Sequence, residues 1–140
     1  MSSTAPEPTI VDSSVIVALL LDAGPLGDWA GETVRGRALH APQLLPFEVG
    51  NVLRRQELAG TVGATGARKA HHALGLLRIE LWPPGPIAAR TWDLRGAVGY
   101  YDASYVALAE LLDAPLVTLD ARLVRAPGPR CTFVVAPAGT

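Results

Sequence analysis

The sequence predicts an α/β protein, a three-layer α/β/α sandwich around a central, mainly parallel sheet. Three observations carry that class. Short runs at 9–11, 115–119 and 131–135 are rich in Val, Leu, Ile and Thr and show no polar alternation, the pattern of strands buried on both faces. Segments with helical spacing lie between them, and strands that alternate with helices imply parallel pairing. Two of the strand segments run directly into an aspartate, Asp12 and Asp120, which places carboxylates at the C-terminal edge of the sheet. Open α/β sheets hold their ligands at that edge.

In chain order, residues 1–8 are Ser/Pro-rich and expected to fray. The strand at 9–12 meets Asp12, Ser13 and Ser14, all N-cap types, so a helix is expected over 13–22 until Gly24-Pro25 breaks it. Leu26, Trp29, Ala30 and Val34 share one helical face, giving a helix at 26–36 stopped by Gly36. A short strand at 38–40 closes on Pro42, a helix follows over 43–59 with Gly60 as its stop, and another runs over 62–77. Residues 79–82 alternate as a strand and end at Pro83-Pro84. Residues 86–97 read as a helix with Pro86 in its first turn. Gly99 introduces Tyr100, Tyr101 and Asp102, and 103–112 form a helix that is apolar almost all round. The strand 115–119 leads through Asp120 to one helical turn at 121–125, a Pro-Gly-Pro loop and a last strand at 131–135. No internal repeat or linker interrupts this order, so a single domain over 1–140 is expected.

The 140 residues, 49% hydrophobic and 18% charged, describe a globular chain rather than a disordered one. Twelve basic against 13 acidic residues leave a formal charge of −1, so any surface that attracts nucleic acid must be a local patch. One cysteine, Cys131, excludes an internal disulfide framework and fits a reducing compartment. Residues 1–8 place no basic residue ahead of the first apolar run, unlike a signal peptide, and the run 15–21 is too short to span a bilayer. A cytoplasmic protein without a membrane segment is the expectation.

Nine of the 13 acids, Asp22 and Glu110 among them, fall in loops or on polar faces where a solvated role suffices. Four do not. Asp12 and Asp120 follow buried strands, and Asp102 opens an apolar helix. Glu48 has Leu44, Leu45 and Val52 as helical neighbours, so it is directed at an apolar face where Asn51, three residues on, cannot neutralise it. Taken singly, each has a plain explanation: N-caps for the aspartates, a favourable helix-dipole position for Glu48. Taken together, the four would meet at the ligand edge, and clustered carboxylates repel unless a hard divalent cation sits among them. An oxygen-only donor set suits magnesium (Mg2+), with manganese (Mn2+) as a substitute, rather than zinc. His40, His71 and His72 show no metal-ligand pairing.

The acids stand in the segments VDSSVIVALL, LLPFEVGNVLRR, YYDASYVALAELL and LVTLDARL. In order and spacing these segments resemble PIN-domain nucleases, and most nearly the VapC-type toxins of bacterial toxin–antitoxin pairs, from Thr9 to Val135. The resemblance implies that Asp12, Glu48, Asp102 and Asp120 are the catalytic acids and magnesium ligands. It also implies that Ser14 and Thr118 hydrogen-bond the acids or water, and that Asn51 braces Glu48. The implied activity is that of a magnesium-dependent endoribonuclease, with a metal-activated water attacking an RNA phosphodiester. A small antitoxin is the implied partner, and a two-fold homodimer the implied assembly, for which Leu53, Leu58, Ile87 and Trp92 offer apolar surface. Arg54, Arg55 and Arg122 are the candidates for gripping substrate. Tyr100 and Tyr101 are placed to stack on a base, though packing beside a buried helix explains them equally.

Two other readings keep the same scaffold: a PIN nuclease that is not a toxin, and a catalytically silent PIN-like binding module. The silent module would normally lack at least one of the four acids, and all four are present. A haloacid-dehalogenase-type phosphatase needs a second aspartate where Ser14 stands. A receiver domain needs a lysine after a late strand, whereas Lys69, the only lysine, falls in the fourth predicted helix.

Overall fold

The computed structural model describes residues 5–140, so the first half of the stretch expected to fray, 1–4, lies outside the described residues. Five strands form one all-parallel sheet: β1 (Pro8–Val11), β2 (Ala38–Pro42), β3 (Ile79–Trp82), β4 (Leu116–Val117) and β5 (Phe133–Val134). Their spatial order is β3-β2-β1-β4-β5. The helices are α1 (Ser13–Leu21), α2 (Pro25–Val34), α3 (Leu45–Leu58), α4 (Ala64–Leu76), α5 (Ala88–Asp93), α6 (Tyr100–Leu112) and α7 (Ala121–Arg125), with a 3-10 turn at Gly85–Ile87. The chain lays β2 and β3 on one side of β1 and β4 and β5 on the other. The direction of winding therefore switches between β1 and β4, where Ile10 pairs with Leu116 and Val11 with Val117. A crevice opens at the C-terminal ends of two strands that part in this way.

Burial explains the apolar runs. Ile10, Val11, Leu116 and Val117 are all at most 1% exposed, because helices cover both faces of these central strands. Helix α6 lies against β1, β2 and β4 and is buried without a break from Ala103 to Ala109, which is why its sequence is apolar all round. Helices α1 to α4 pack on one another as a second group. No single helix is long and apolar enough to cross a membrane among the described residues.

Several expectations change in detail. The helix expected over 86–97 is a 3-10 turn followed by α5, which ends at Asp93 so that Leu94, 2% exposed, can turn into the core. The strands expected at 115–119 and 131–135 pair over only two residues each. Helix α6 starts at Tyr100 with Gly99 as its N-cap, so Asp102 sits inside the first turn and is not a cap. Of the four residues expected to offer apolar surface, Leu53 and Ile87 are buried, while Leu58 and Trp92 are exposed.

Two acids read as solvated are structural. Asp22 accepts hydrogen bonds from the backbone N–H groups of Gly24 (2.7 Å) and Gly27 (3.2 Å) and so shapes the bend between α1 and α2. A Cβ on Gly27 would lie 1.8 Å from the Asp22 carbonyl oxygen, so only glycine fits there. Glu110 on α6 accepts a two-pronged bond from Arg90 on α5, Nε at 2.7 Å and Nη2 at 3.2 Å, and a third from the Arg130 N–H at 2.8 Å. Arg90 Nη2 also donates to the Gly128 carbonyl at 2.8 Å, which ties the loop before β5 to both helices. Burial alone would push the Glu110 carboxyl up, but Arg90 and the Arg130 N–H hold it below the usual glutamate value.

Candidate active site

Asp12 occupies the switch point. Its backbone N–H still belongs to the sheet, donating to the Val117 carbonyl at 3.2 Å, while its side chain caps α1 by accepting from the N–H groups of Ser14 (3.0 Å) and Val15 (3.3 Å). Two hydroxyls complete its surroundings: Ser14 Oγ donates to Oδ1 and Thr118 Oγ1 to Oδ2. The expected roles of Ser14 and Thr118 are thus seen directly. Both hydroxyls are themselves fixed, since the Leu119 N–H donates to Ser14 Oγ at 3.1 Å and the Asp120 N–H to Thr118 Oγ1 at 3.0 Å. One edge of the sheet therefore locks β1, β4 and both aspartates into a single hydrogen-bonded unit. Capping accounts for part of what Asp12 does, but Oδ2 keeps a lone pair beyond its one bond to Thr118.

Glu48 approaches from the first turn of α3 and is half-buried. Asn51 does not brace it: that residue is exposed and makes no hydrogen bond to Glu48 among the described residues. The brace is Tyr105, whose buried phenol reaches across from α6 and donates to Glu48 Oε1 at 2.6 Å. Tyr105 read in the sequence as one more apolar residue on a buried helix. The available signal was its hydroxyl, which must find a partner when the ring is buried. Burial and the adjoining Glu48 carboxylate hold that phenol protonated far above its ordinary range.

Asp102, in the first turn of α6, is half-buried and its carboxylate has no hydrogen-bond donor among the described residues. Asp120 caps α7 through Oδ1, accepting from the N–H groups of Arg122 (2.9 Å) and Leu123 (3.4 Å), and leaves Oδ2 without a donor. The electrostatics show that the acids share one region. Burial raises the Asp12 carboxyl, against the pull of Ser14, Thr118 and Val15, and Asp102 raises it further. Burial raises Glu48, opposed by Tyr105 and reinforced by Asp102 and Asp12. Burial raises Asp102, and Asp120 adds to the rise. The ion pairs among the described residues, Arg90–Glu110 and the His40–Glu80 approach, involve none of these four acids.

As the side chains stand, no three of the acids close on one ion-sized point among the described residues; the shared edge and the mutual field connect them. Arg54 and Arg55 on α3 and Arg122 on α7 are exposed, and their side chains make no contact with the acids. His40 Nδ1 accepts from the Trp82 indole at 3.0 Å, so the histidine serves packing as expected. Burial pushes the Cys131 thiol up to about 11, which leaves no thiolate nucleophile near neutral pH.

An all-parallel sheet whose switch point carries unpaired carboxylates matches known proteins along most of its length. The family model described as PIN domain matches residues 9–129. Ribonuclease VapC1 of Mycobacterium tuberculosis is 40% identical over 123 residues, 87% of this chain and 92% of that protein. The crystal structure of PAE2754 from Pyrobaculum aerophilum superposes with a TM-score of 0.67 at 26% identity, covering 92% of this chain and 83% of that one. VapBC-5 from Mycobacterium tuberculosis, a member of the VapBC family of toxin–antitoxin systems, shares the fold with a TM-score of 0.58 at 18% identity over 93% of this chain and 98% of its own. The chain belongs to the PIN-domain family, among the relatives of the VapC ribonucleases.

Proposed function

We propose that this protein is a magnesium-dependent endoribonuclease, a cytoplasmic single-domain toxin of a toxin–antitoxin pair. One observation carries the reading: Asp12, Glu48 and Asp102 are held at raised proton affinity at the switch-point edge, with no basic side chain paired to them among the described residues. Proteins that bury carboxylates for stability pair them; crowded and unpaired ones mark a site for a cation. VapC1 is named a ribonuclease, and VapBC-5 belongs to a toxin–antitoxin family, which supports the substrate class and the antitoxin partner.

The donor set fits a hard cation, since Asp12, Glu48, Asp102 and Asp120 offer carboxylate oxygens with no sulfur or imidazole among them. Magnesium, or manganese in its place, would be held by these four residues. When bound, it lowers the pKa of a water and offsets charge at the scissile phosphate. The chain's own residues do the rest. Ser14 and Thr118 fix both oxygens of Asp12, and Tyr105 fixes Oε1 of Glu48 and leaves Oε2 to the site. Asp102, raised and free of hydrogen bonds, is suited to accept the proton of the attacking water. Arg54, Arg55 and Arg122 are exposed where phosphates approach, and exposed Leu58 and Trp92 offer surface to a second copy in a homodimer.

The test is cleavage of RNA by purified, antitoxin-free protein. Cutting in magnesium or manganese and none in excess chelator is expected; cutting that persists in chelator overturns the proposal. Expression is expected to arrest growth unless the antitoxin is co-expressed, and normal growth with active protein present removes the toxin assignment.

A further inference from the structure

Beside the acids, the same edge carries an apolar cavity of about 340 Å³ that the nuclease reading leaves without a role. It lies between the C-terminal ends of β2 and β3, at Pro42 and Trp82, and the first turns of α3 and α6. Two of its walls are chain neighbours of the acids: Phe47 precedes Glu48, and Tyr101 precedes Asp102. Both are open to solvent, Phe47 at 81% and Tyr101 at 65% exposed. The chain's own packing gives no reason to hold a phenylalanine so exposed at the rim of a cavity. The aromatic surface continues outward, since Tyr100 meets Trp92 edge-on at 6.5 Å and the Arg95 guanidinium lies 4.2 Å from the Trp92 ring centre.

The polar groups of the cavity narrow the ligand. Ser104 Oγ donates to the Tyr101 carbonyl at 2.6 Å and Thr91 Oγ1 to that of Ile87 at 2.7 Å, so both hydroxyl protons are engaged. Gln43 is anchored through its backbone N–H to the Trp82 carbonyl at 3.0 Å, while its exposed side-chain amide makes no hydrogen bond among the described residues. Flat aromatic walls, a free carboxamide with both donor and acceptor, and a cation outside are the chemistry that holds an unstacked nucleobase and its phosphate. The volume is at the small end of small-ligand pockets, roughly 300–1,000 Å³, as a single base requires.

The geometry points to a base-specificity subsite. One unpaired base of a single-stranded RNA, flanking the scissile phosphate, packs between Phe47 and Tyr101. Gln43 reads its edge, and Arg95 meets a neighbouring phosphate. This rests on the nuclease reading and adds to it the substrate class: RNA with unpaired bases at the cut, not duplex.

The test is a randomised pool of short single-stranded RNA, cut by the full chain in magnesium, with the new ends sequenced. The parent is expected to prefer certain bases at one position flanking the cut. Gln43→Ala should flatten that preference by about tenfold and leave the other positions unchanged. Phe47→Ala and Tyr101→Ala should each raise KM by about tenfold at unchanged kcat. All three side chains are exposed, so the melting temperature of each variant should match the parent. A parent without preference, or a Gln43→Ala profile identical to the parent's, overturns the subsite. If nothing is cut in magnesium, the nuclease reading fails by itself. The pool is then partitioned by filter binding in calcium, and the bases enriched by parent and by Gln43→Ala decide the subsite separately. If light scattering shows that Phe47→Ala turns a dimer into a monomer while base preference stays as in the parent, the face belongs to a second copy and the inference is overturned.

Discussion

Glu48 and Glu110 are both partly buried glutamates on helices, and their surroundings differ in every other respect. Glu110 meets a guanidinium on two prongs and a backbone N–H, and its carboxyl is held below the ordinary value. Glu48 meets a phenol and two other acids, and its carboxyl is raised. Where the fold needs a buried carboxylate only for architecture, it supplies a countercharge; at the switch-point edge it supplies hydroxyls and more carboxylates. That contrast separates a structural acid from a site acid better than burial does.

The contrast breaks most visibly in activity. Asp12→Asn keeps the shape of the site and removes one charge, and is expected to lower RNA cleavage by roughly 10²–10³-fold, the scale for losing one preorganised electrostatic group. Glu110→Gln should leave kcat of the folded protein within about twofold, because the clamp supports helix packing and lies outside the acid cluster. Single-turnover cleavage by both variants measures the difference, and equal losses would erase it.

Stability should respond the other way. Arg90→Ala leaves Glu110 buried with only the Arg130 N–H, a cost of about 1–2 kcal/mol once partial exposure of the pair is allowed for. Denaturant unfolding checks this, and an unchanged midpoint would make the clamp ornamental.

A smaller effect lies in pH. Asp12, Glu48 and Asp102 have folded-state values above their unfolded ones, so their favourable contribution is complete below the ordinary carboxylate range and fades as pH rises through the raised values. Glu110 is lowered, so its contribution is present above the ordinary glutamate value and is lost only as pH falls below it. In chelator the melting temperature should therefore decline by a few degrees between about pH 5 and pH 8. Magnesium should flatten that decline, because cation binding favours the ionised acids. Melting curves across this range that do not change in chelator would count against raised carboxyls.

The sheet and three of the site acids were legible because their signals are local. A strand buried on both faces is a continuous apolar run, and the Asp that follows stands out against it, as at Asp12 and Asp120. Glu48 stood out against its apolar neighbours. Asp102 was recognised as a candidate but misread as a cap, since Tyr100 and Tyr101 give no strong sign that the helix has already begun. Tertiary partners were not legible. Tyr105 is 57 positions from Glu48, and Arg90 is 20 from Glu110, so each pairing depends on how α6 packs against its neighbours. Asn51 looked like the natural brace for Glu48 because i+3 neighbours share a helix face, yet the longer side chain from the facing helix takes that place.

The most direct measurement is the thermal melt of the parent and Asp102→Asn, each in chelator and in magnesium. Relief of repulsion and of a buried charge should outweigh the lost helix-dipole contribution, so in chelator Asp102→Asn should be the more stable by about 1 kcal/mol. Magnesium should raise the parent more than the variant and narrow or reverse the order, because only the parent keeps all four carboxylates for the ion. If Asp102→Asn melts at or below the parent in chelator, and magnesium shifts both equally or neither, the acids at this edge are not a cation site.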